Sequence, residues 1–206
     1  RGEMTDQAPY PVDVVVPVDD ESRSRGLAAT GVLLVKIVLL VPHIFLLSLY
    51  AIAVTVIVWI GYWYILFTGG KQFWVENFEM IYLEWTSRTF AWFTATTDVY
   101  PTYGSDENHP AQVEVVEAPE PQNRVLAVLG IVGLRVVLAA PHLFVLLWLS
   151  LGTLIAAWVG FVYILITGSL PLSLHIYFVG FHRWWARVWA WIAALTDEYP
   201  PFRLGQ

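Results

Sequence analysis

Charged residues fall in a few stretches of this chain, and between them lie two apolar blocks, Gly26–Phe67 and Val125–Ile166, each with a single Lys or Arg. One membrane-crossing helix takes about 20 residues, so each block is long enough for two helices folded as a hairpin. The expected turn lies after His43, near Ser48–Ala53 and, in the second block, near Leu147–Thr153. Because that turn is apolar, a hairpin that enters and leaves from one face without fully crossing is the alternative.

Each block is preceded by a short alternating segment, Val12-Asp13-Val14-Val15-Val16 and Val113-Glu114-Val115-Val116. Alternation predicts strands, paired with each other outside the membrane. Ser24 and Asn123 are helix N-cap types, so helices are expected to start at Arg25 and Arg124. After each block comes an aromatic-rich segment too charged to span, Lys71–Thr96 and Leu170–Leu195. On a helical wheel Glu76, Glu79, Glu84, Ser87 and Arg88 share one half, and Trp74, Phe78, Ile81, Tyr82, Trp85 and Trp92 the other. The later segment places His175, His182, Arg183 and Arg187 opposite Tyr177, Phe181, Trp184 and Trp191. Both read as amphipathic helices at the membrane interface, and seven of the eleven tryptophans lie in them.

These parts recur because the chain is written twice. A shift of 99 positions aligns residues 10–107 with 109–206 without a gap and with 30 identities. Matched landmarks include Arg25 with Arg124, Pro42-His43 with Pro141-His142, Thr68-Gly69 with Thr167-Gly168, and Thr97-Asp98-x-Tyr100-Pro101 with Thr196-Asp197-x-Tyr199-Pro200. The expected fold is an all-α integral membrane protein of two tandem parallel repeats, 1–107 and 108–206. Each repeat has a β-like segment, a transmembrane hairpin (about 26–67 and 125–166) and an interfacial helix (about 71–96 and 170–195), giving four transmembrane helices. Every Lys and Arg except Lys36 and Arg135 then lies on the side of the termini, which makes that side cytoplasmic. Parallel repeats place the pseudo-twofold axis along the membrane normal; an inverted arrangement would need the charged third helix to cross.

Composition agrees with a membrane setting: 57% hydrophobic, 16% aromatic and only 14% charged, against about 25% charged in soluble domains. A net charge of −6 gives no basic stripe for a nucleic acid. With no cysteine there is no disulfide, thiolate metal site or cysteine nucleophile. The polar stretch Arg1–Ser24 carries no pattern of a secretory signal, and Arg1-Gly2-Glu3 stand ahead of Met4.

Candidate chemistry is sparse. Arg25, Lys36 and His43 fall near one line along a helix, and Arg124, Arg135 and His142 repeat it. One reading is a basic track for a lipid phosphate or small anion; the other has Lys36 and Arg135 snorkelling or pairing with Asp98 and Asp197. Pro42 and Pro141 open the backbone ladder beside the histidines, which fits a structural role. A haem held by His43 and His142 is a lesser alternative. Glu84 and Arg183 are equivalent positions of opposite charge, as are Glu76 and His175, and such pairs could meet across the repeat boundary. His175 and His182 read as interfacial cations rather than metal ligands. No nucleophile elbow, phosphate loop, HExxH or EF-hand loop occurs, so no catalytic, metal or cofactor residue is assigned.

The run Arg124 to Phe202, with Arg…Arg-x5-Pro-His…Tyr-Ile-Leu-x-Thr-Gly…Arg-Trp…Leu-Thr-Asp-Glu-Tyr-Pro-Pro-Phe, resembles the bacterial membrane family catalogued as domain of unknown function 4389. Thr196–Phe202 is the most specific part, and the first copy departs from it at Thr102 and Tyr103. The resemblance implies a protein of the bacterial, often actinobacterial, cytoplasmic membrane and no particular activity. The expected function is a non-catalytic accessory or scaffold subunit binding a membrane protein partner, with Glu84, Arg88, Asp98, Tyr100, Arg183, Arg187, Asp197 and Tyr199 as interface candidates. The alternative is lipid or small-anion binding by Arg25, Lys36, His43, Arg124, Arg135 and His142.

Overall fold

The computed structural model describes residues 10–18, 22–116 and 121–205. The stretch before Tyr10, and parts of the joints ahead of each repeat's first helix, lie outside the described residues. Among the described residues two strands and six helices follow in the order β1 (Val12–Val15), α1 (Arg25–Val32), α2 (Val35–Thr68), α3 (Phe73–Phe93), β2 (Gln112–Val115), α4 (Arg124–Ile131), α5 (Leu134–Thr167) and α6 (Leu172–Ala193).

The helix starts fall where the capping residues place them. Ser24 accepts from the Leu27 amide, and Asn123 accepts from those of Val125 and Leu126. The strands pair antiparallel with Val12 opposite Val115 and Val14 opposite Val113.

The hairpins are a different matter. Each apolar block forms a short helix and then one uninterrupted helix of 34 residues, with no turn at Ser48–Ala53 or Leu147–Thr153. Nothing there interrupts the ladder: Ser48 donates back to the Ile44 carbonyl, Thr55 to Ala51 and Thr153 to Leu149. The corner comes earlier, where Leu34 and its counterpart Gly133 take up left-handed backbone with φ of 60° and 77°. The long helices end at Gly69 and Gly168, also left-handed, as a C-terminal glycine allows. In place of four spans, two helices among the described residues are long and apolar enough to cross a membrane, Val35–Thr68 and Leu134–Thr167.

Helices α3 and α6 are likewise placed otherwise than expected. They lie at the centre of the molecule, each antiparallel to its own long helix, and cross each other where Tyr82 meets Trp189 and Phe90 meets Phe181. Their polar halves face inward: Glu79, Ser87, Arg88, His175, His182 and Arg187 are buried. The strands cover that polar side, with Val12, Val14 and Val113 packed on Leu83, Val179, Ala186 and Ala190.

The repeats also exchange their leading arms. The Arg23 amide bonds the Gly168 carbonyl and that of Gln122 bonds Gly69, both at 2.8 Å. From there α1 lies on α5 and α4 on α2, with Gly31 against the Phe161 ring and Gly130 against Tyr62. β1, at the head of the first repeat, packs on α6 of the second. Its carbonyls at Val12, Val14 and Val16 are taken by Arg187, Arg183 and the His175 ring.

Candidate functional site

Four buried cations, Arg23, Lys36, Lys71 and Arg135, are explained by helix ends, whereas Arg88 and Arg187 bond loop, strand and tail carbonyls. A helix leaves its last carbonyls without partners, and a buried end needs donors from elsewhere. At the end of α6, Tyr62 donates to the Ile192 carbonyl, Lys71 to Ala193, Gln122 to Ala194 and Arg135 to Thr196. At the end of α3, Lys36 donates to Trp92 at 2.5 Å and Arg23 to Thr96 at 2.8 Å. Positive charge at these termini also suits the helix dipole.

Lys36 and Arg135 are therefore interior groups, each 1% exposed, rather than snorkelling ones. Lys36 stands over the Trp92 and Phe161 rings at 4.5 and 5.0 Å. Arg135 stands over Trp191 and Tyr62 at 4.8 and 5.8 Å. Arg135 lies 3.8 Å from Asp197. The continuous basic track does not form, because the corner at Leu34 and Gly133 puts Arg25 and Arg124 on separate short helices; Arg25 reaches instead to the Ile166 carbonyl at 3.4 Å.

The Thr-Asp-x-Tyr-Pro motif ties each repeat's end to its own long helix and leading arm. Asp98 accepts from the Ser24 amide and Asp197 from that of Asn123, both at 2.6 Å. Tyr100 and Tyr199 donate to the carbonyls of Leu39 and Leu138, in the turn that Pro42 and Pro141 loosen. His43 accepts at Nδ1 from Trp85 and stacks on Tyr103; His142 accepts from Trp184 and stacks on Phe202. Each imidazole is thus enclosed by its own repeat, with Nε2 buried and unpartnered.

Of the proposed charge pairs, Glu84 and Arg183 do not meet. Glu84 pairs with Arg88 on its own helix at 3.6 Å, and Arg183 pairs with Asp13 of β1. His175 bonds the Val16 carbonyl, and His182 is no surface cation: burial pushes its pKa down to about 3.

Two features break the duplication. Lys71 and Glu79 form a fully buried ion pair where the second repeat has Leu170 and Phe178. Burial pushes the Glu79 carboxyl up to about 7 against the opposing pull of Lys71. Ser87 meets His182 at 2.8 Å where the equivalent positions are Ala186 and Leu83. Sequence alone could have flagged both, since each replaces a polar pair by an apolar one at a shift of 99.

Two open grooves lie against the long helices, one on each. One groove of about 530 Å³ is lined by Phe90, Phe93, Leu146, Ser150, Thr153, Leu154, Phe181, His182 and Trp185. A second, of about 390 Å³, is lined by Ala51, Val54, Thr55, Val58, Tyr62, Tyr82, Trp189 and Ile192. They are the same cavity written twice, since Ser150, Thr153, Leu154 and Phe181 correspond to Ala51, Val54, Thr55 and Tyr82. Both are floored by the α3–α6 crossing, and both flank the middle of a long apolar helix. The first also carries the neutral His182, which is stacked between Phe90 and Trp185.

Fold and site together define a helical, duplicated protein with two strongly apolar helices and paired apolar grooves. The chain belongs to the family described as Domain of unknown function (DUF4389), which matches it twice, at residues 32–103 and 131–203. Each match begins at the corner before the long helix and ends within the proline-containing tail, leaving the exchanged arm of each repeat outside it. No curated protein and no solved structure matches the chain.

Proposed function

We propose that this is a non-catalytic protein of the bacterial cytoplasmic membrane that holds lipid acyl chains in its two grooves. The observation that carries this is the larger groove. Its volume of about 530 Å³ is that of a small-molecule site, and its walls are almost wholly apolar, because Thr86, Ser150 and Thr153 donate their hydroxyl protons to carbonyls of their own helices. The lipid alternative raised by the sequence thereby moves from the basic residues to the grooves, since Lys36 and Arg135 are committed to helix ends. Both termini lie on the cytoplasmic side in this reading.

Native mass spectrometry of the detergent-purified protein tests it. Wild type is expected to retain lipid, and Ser150→Trp with Ala51→Trp, which fill the grooves from their walls, to lose it. Equal retention by the filled variant overturns the proposal. A stoichiometric protein partner with empty grooves would favour the scaffold reading instead.

A further inference from the structure

The long helices carry an exposed apolar stripe with a regular period. In α2 it consists of Val38, Phe45, Ile52 and Trp59, and in α5 of their counterparts Val137, Phe144, Leu151 and Trp158. All eight are between 47% and 66% exposed, and successive members stand seven residues apart, which keeps them on one helix face. Each helix is about 51 Å long at 1.5 Å per residue, against a hydrocarbon core of about 30 Å.

The helices are antiparallel. Lys36, near the start of α2, lies over Phe161 near the end of α5, and Arg135 near the start of α5 lies over Tyr62 near the end of α2. The pseudo-twofold axis therefore runs perpendicular to both. It passes through the α3–α6 crossing and between Val14 and Val113, equivalent residues that pair with each other in the sheet. The molecule is layered along this axis: long helices, then α3 and α6, then the sheet.

If α2 and α5 stood across a bilayer, the axis would lie in the membrane plane and the sheet would sit at mid-depth. Exposed Glu107 and Glu114 and an unclosed two-stranded ribbon would then face hydrocarbon, where charges are costly and open strand edges are not tolerated. Turned by a right angle, the same molecule puts both stripes into lipid and the whole charged sheet layer into water.

We infer that the protein is monotopic: α2 and α5 lie along one leaflet, with their stripes in the acyl region, and neither crosses the membrane. The partner of this surface is a lipid leaflet. The inference shares with the proposed function the membrane location and Trp59, which also lines the second groove; the α5 stripe lines neither groove, so loss of groove lipid would leave it untouched.

The absence of cysteine makes the test direct. Nitroxide labels on Val137→Cys, Phe144→Cys, Leu151→Cys and Trp158→Cys are placed in phosphatidylcholine–phosphatidylglycerol vesicles, and depth is read from collision with oxygen and a nickel chelate. The four labels are expected at one depth. A maximum at Phe144 and Leu151 with shallow ends overturns the inference, as does full water access at all four. In intact cells and inverted vesicles, a membrane-impermeant thiol reagent reads Gln72→Cys and Ser169→Cys, at opposite ends of the pair, and Glu114→Cys on the sheet. All three are expected to react from the same side; opposite sidedness of Gln72→Cys and Ser169→Cys overturns the inference independently.

Discussion

Tyr199 donates its hydroxyl to the Leu138 carbonyl at 2.9 Å, and Tyr100 repeats the contact on Leu39 at 2.8 Å. The Thr-Asp-x-Tyr-Pro motif written in both repeats thus closes the backbone turn ahead of a helix proline, three residues upstream of Pro42 and Pro141. Replacing either Tyr by Phe removes the hydrogen bond and keeps the ring against the histidine. The expected loss is about 1 kcal/mol each, additive because the sites are remote, and thermal unfolding in detergent measures it.

The Lys71–Glu79 pair predicts a strongly non-additive cycle. Lys71→Leu leaves a buried carboxylate and should cost about 3–5 kcal/mol at neutral pH. Lys71→Leu with Glu79→Phe copies the apolar second repeat and should recover most of that loss. In the single variant Glu79 folds best protonated, its pKa being raised from 4.5 by burial. The sign follows: stability is greatest below the ordinary carboxyl value and is lost as pH rises through the raised one. Denaturation from pH 4 to 8 should show that fall in Lys71→Leu and not in the double variant.

His182 gives the opposite slope. Its pKa drops from 6.5 to about 3, so the fold holds it neutral, with stability fully present above 6.5 and lost as pH falls through that window. The double change Ser87→Ala and His182→Leu copies Ala186 and Leu83 of the other half. It should flatten the acid limb relative to wild type by an amount on the order of 5 kcal/mol when titration is complete.

The exchanged arm rests on a close approach. A Cβ added at Gly31 would come within 2.5 Å of the Phe161 ring. Gly31→Ala should therefore cost about 1–3 kcal/mol by overpacking, and Phe161→Leu should relieve part of it. Limited proteolysis between Val16 and Arg25 reads whether the arm has loosened.

Much of the local structure was legible. Ser24 and Asn123 fixed where helices begin, and alternation around Val14 and Val113 indicated the strands and their pairing. Two readings failed for different reasons: the hairpin was inferred from the length of each block, which the chain uses for one 34-residue helix, and the polar helix faces were taken as a guide to solvent. The expected turn near Ser48 does not exist because its hydroxyls bond within the helix. The true corner at Leu34 is apolar in the first repeat, and only Gly133 in the second betrays it. Glu79, Arg88, His182 and Arg187 read as a wet helix face, yet they line the interior, where strands and helix ends supply their partners. The grooves were not visible at all, since they arise from the crossing of α3 and α6, which no spacing along the chain encodes.

The arm exchange bears on how such a chain arose. Each half lacks, within itself, the segment that covers its own long helix; Gly31 seats on Phe161 and Gly130 on Tyr62 only because two copies are joined. A gene encoding one copy would have to borrow that segment from a second polypeptide, forming a symmetric homodimer by mutual swapping. Fusion of two such genes turns the dimer into a single chain and frees each half to diverge, as the Lys71–Glu79 and Ser87–His182 pairs have done. Co-expression of residues 10–107 and 109–206 as separate polypeptides should accordingly reconstitute the heterodimer.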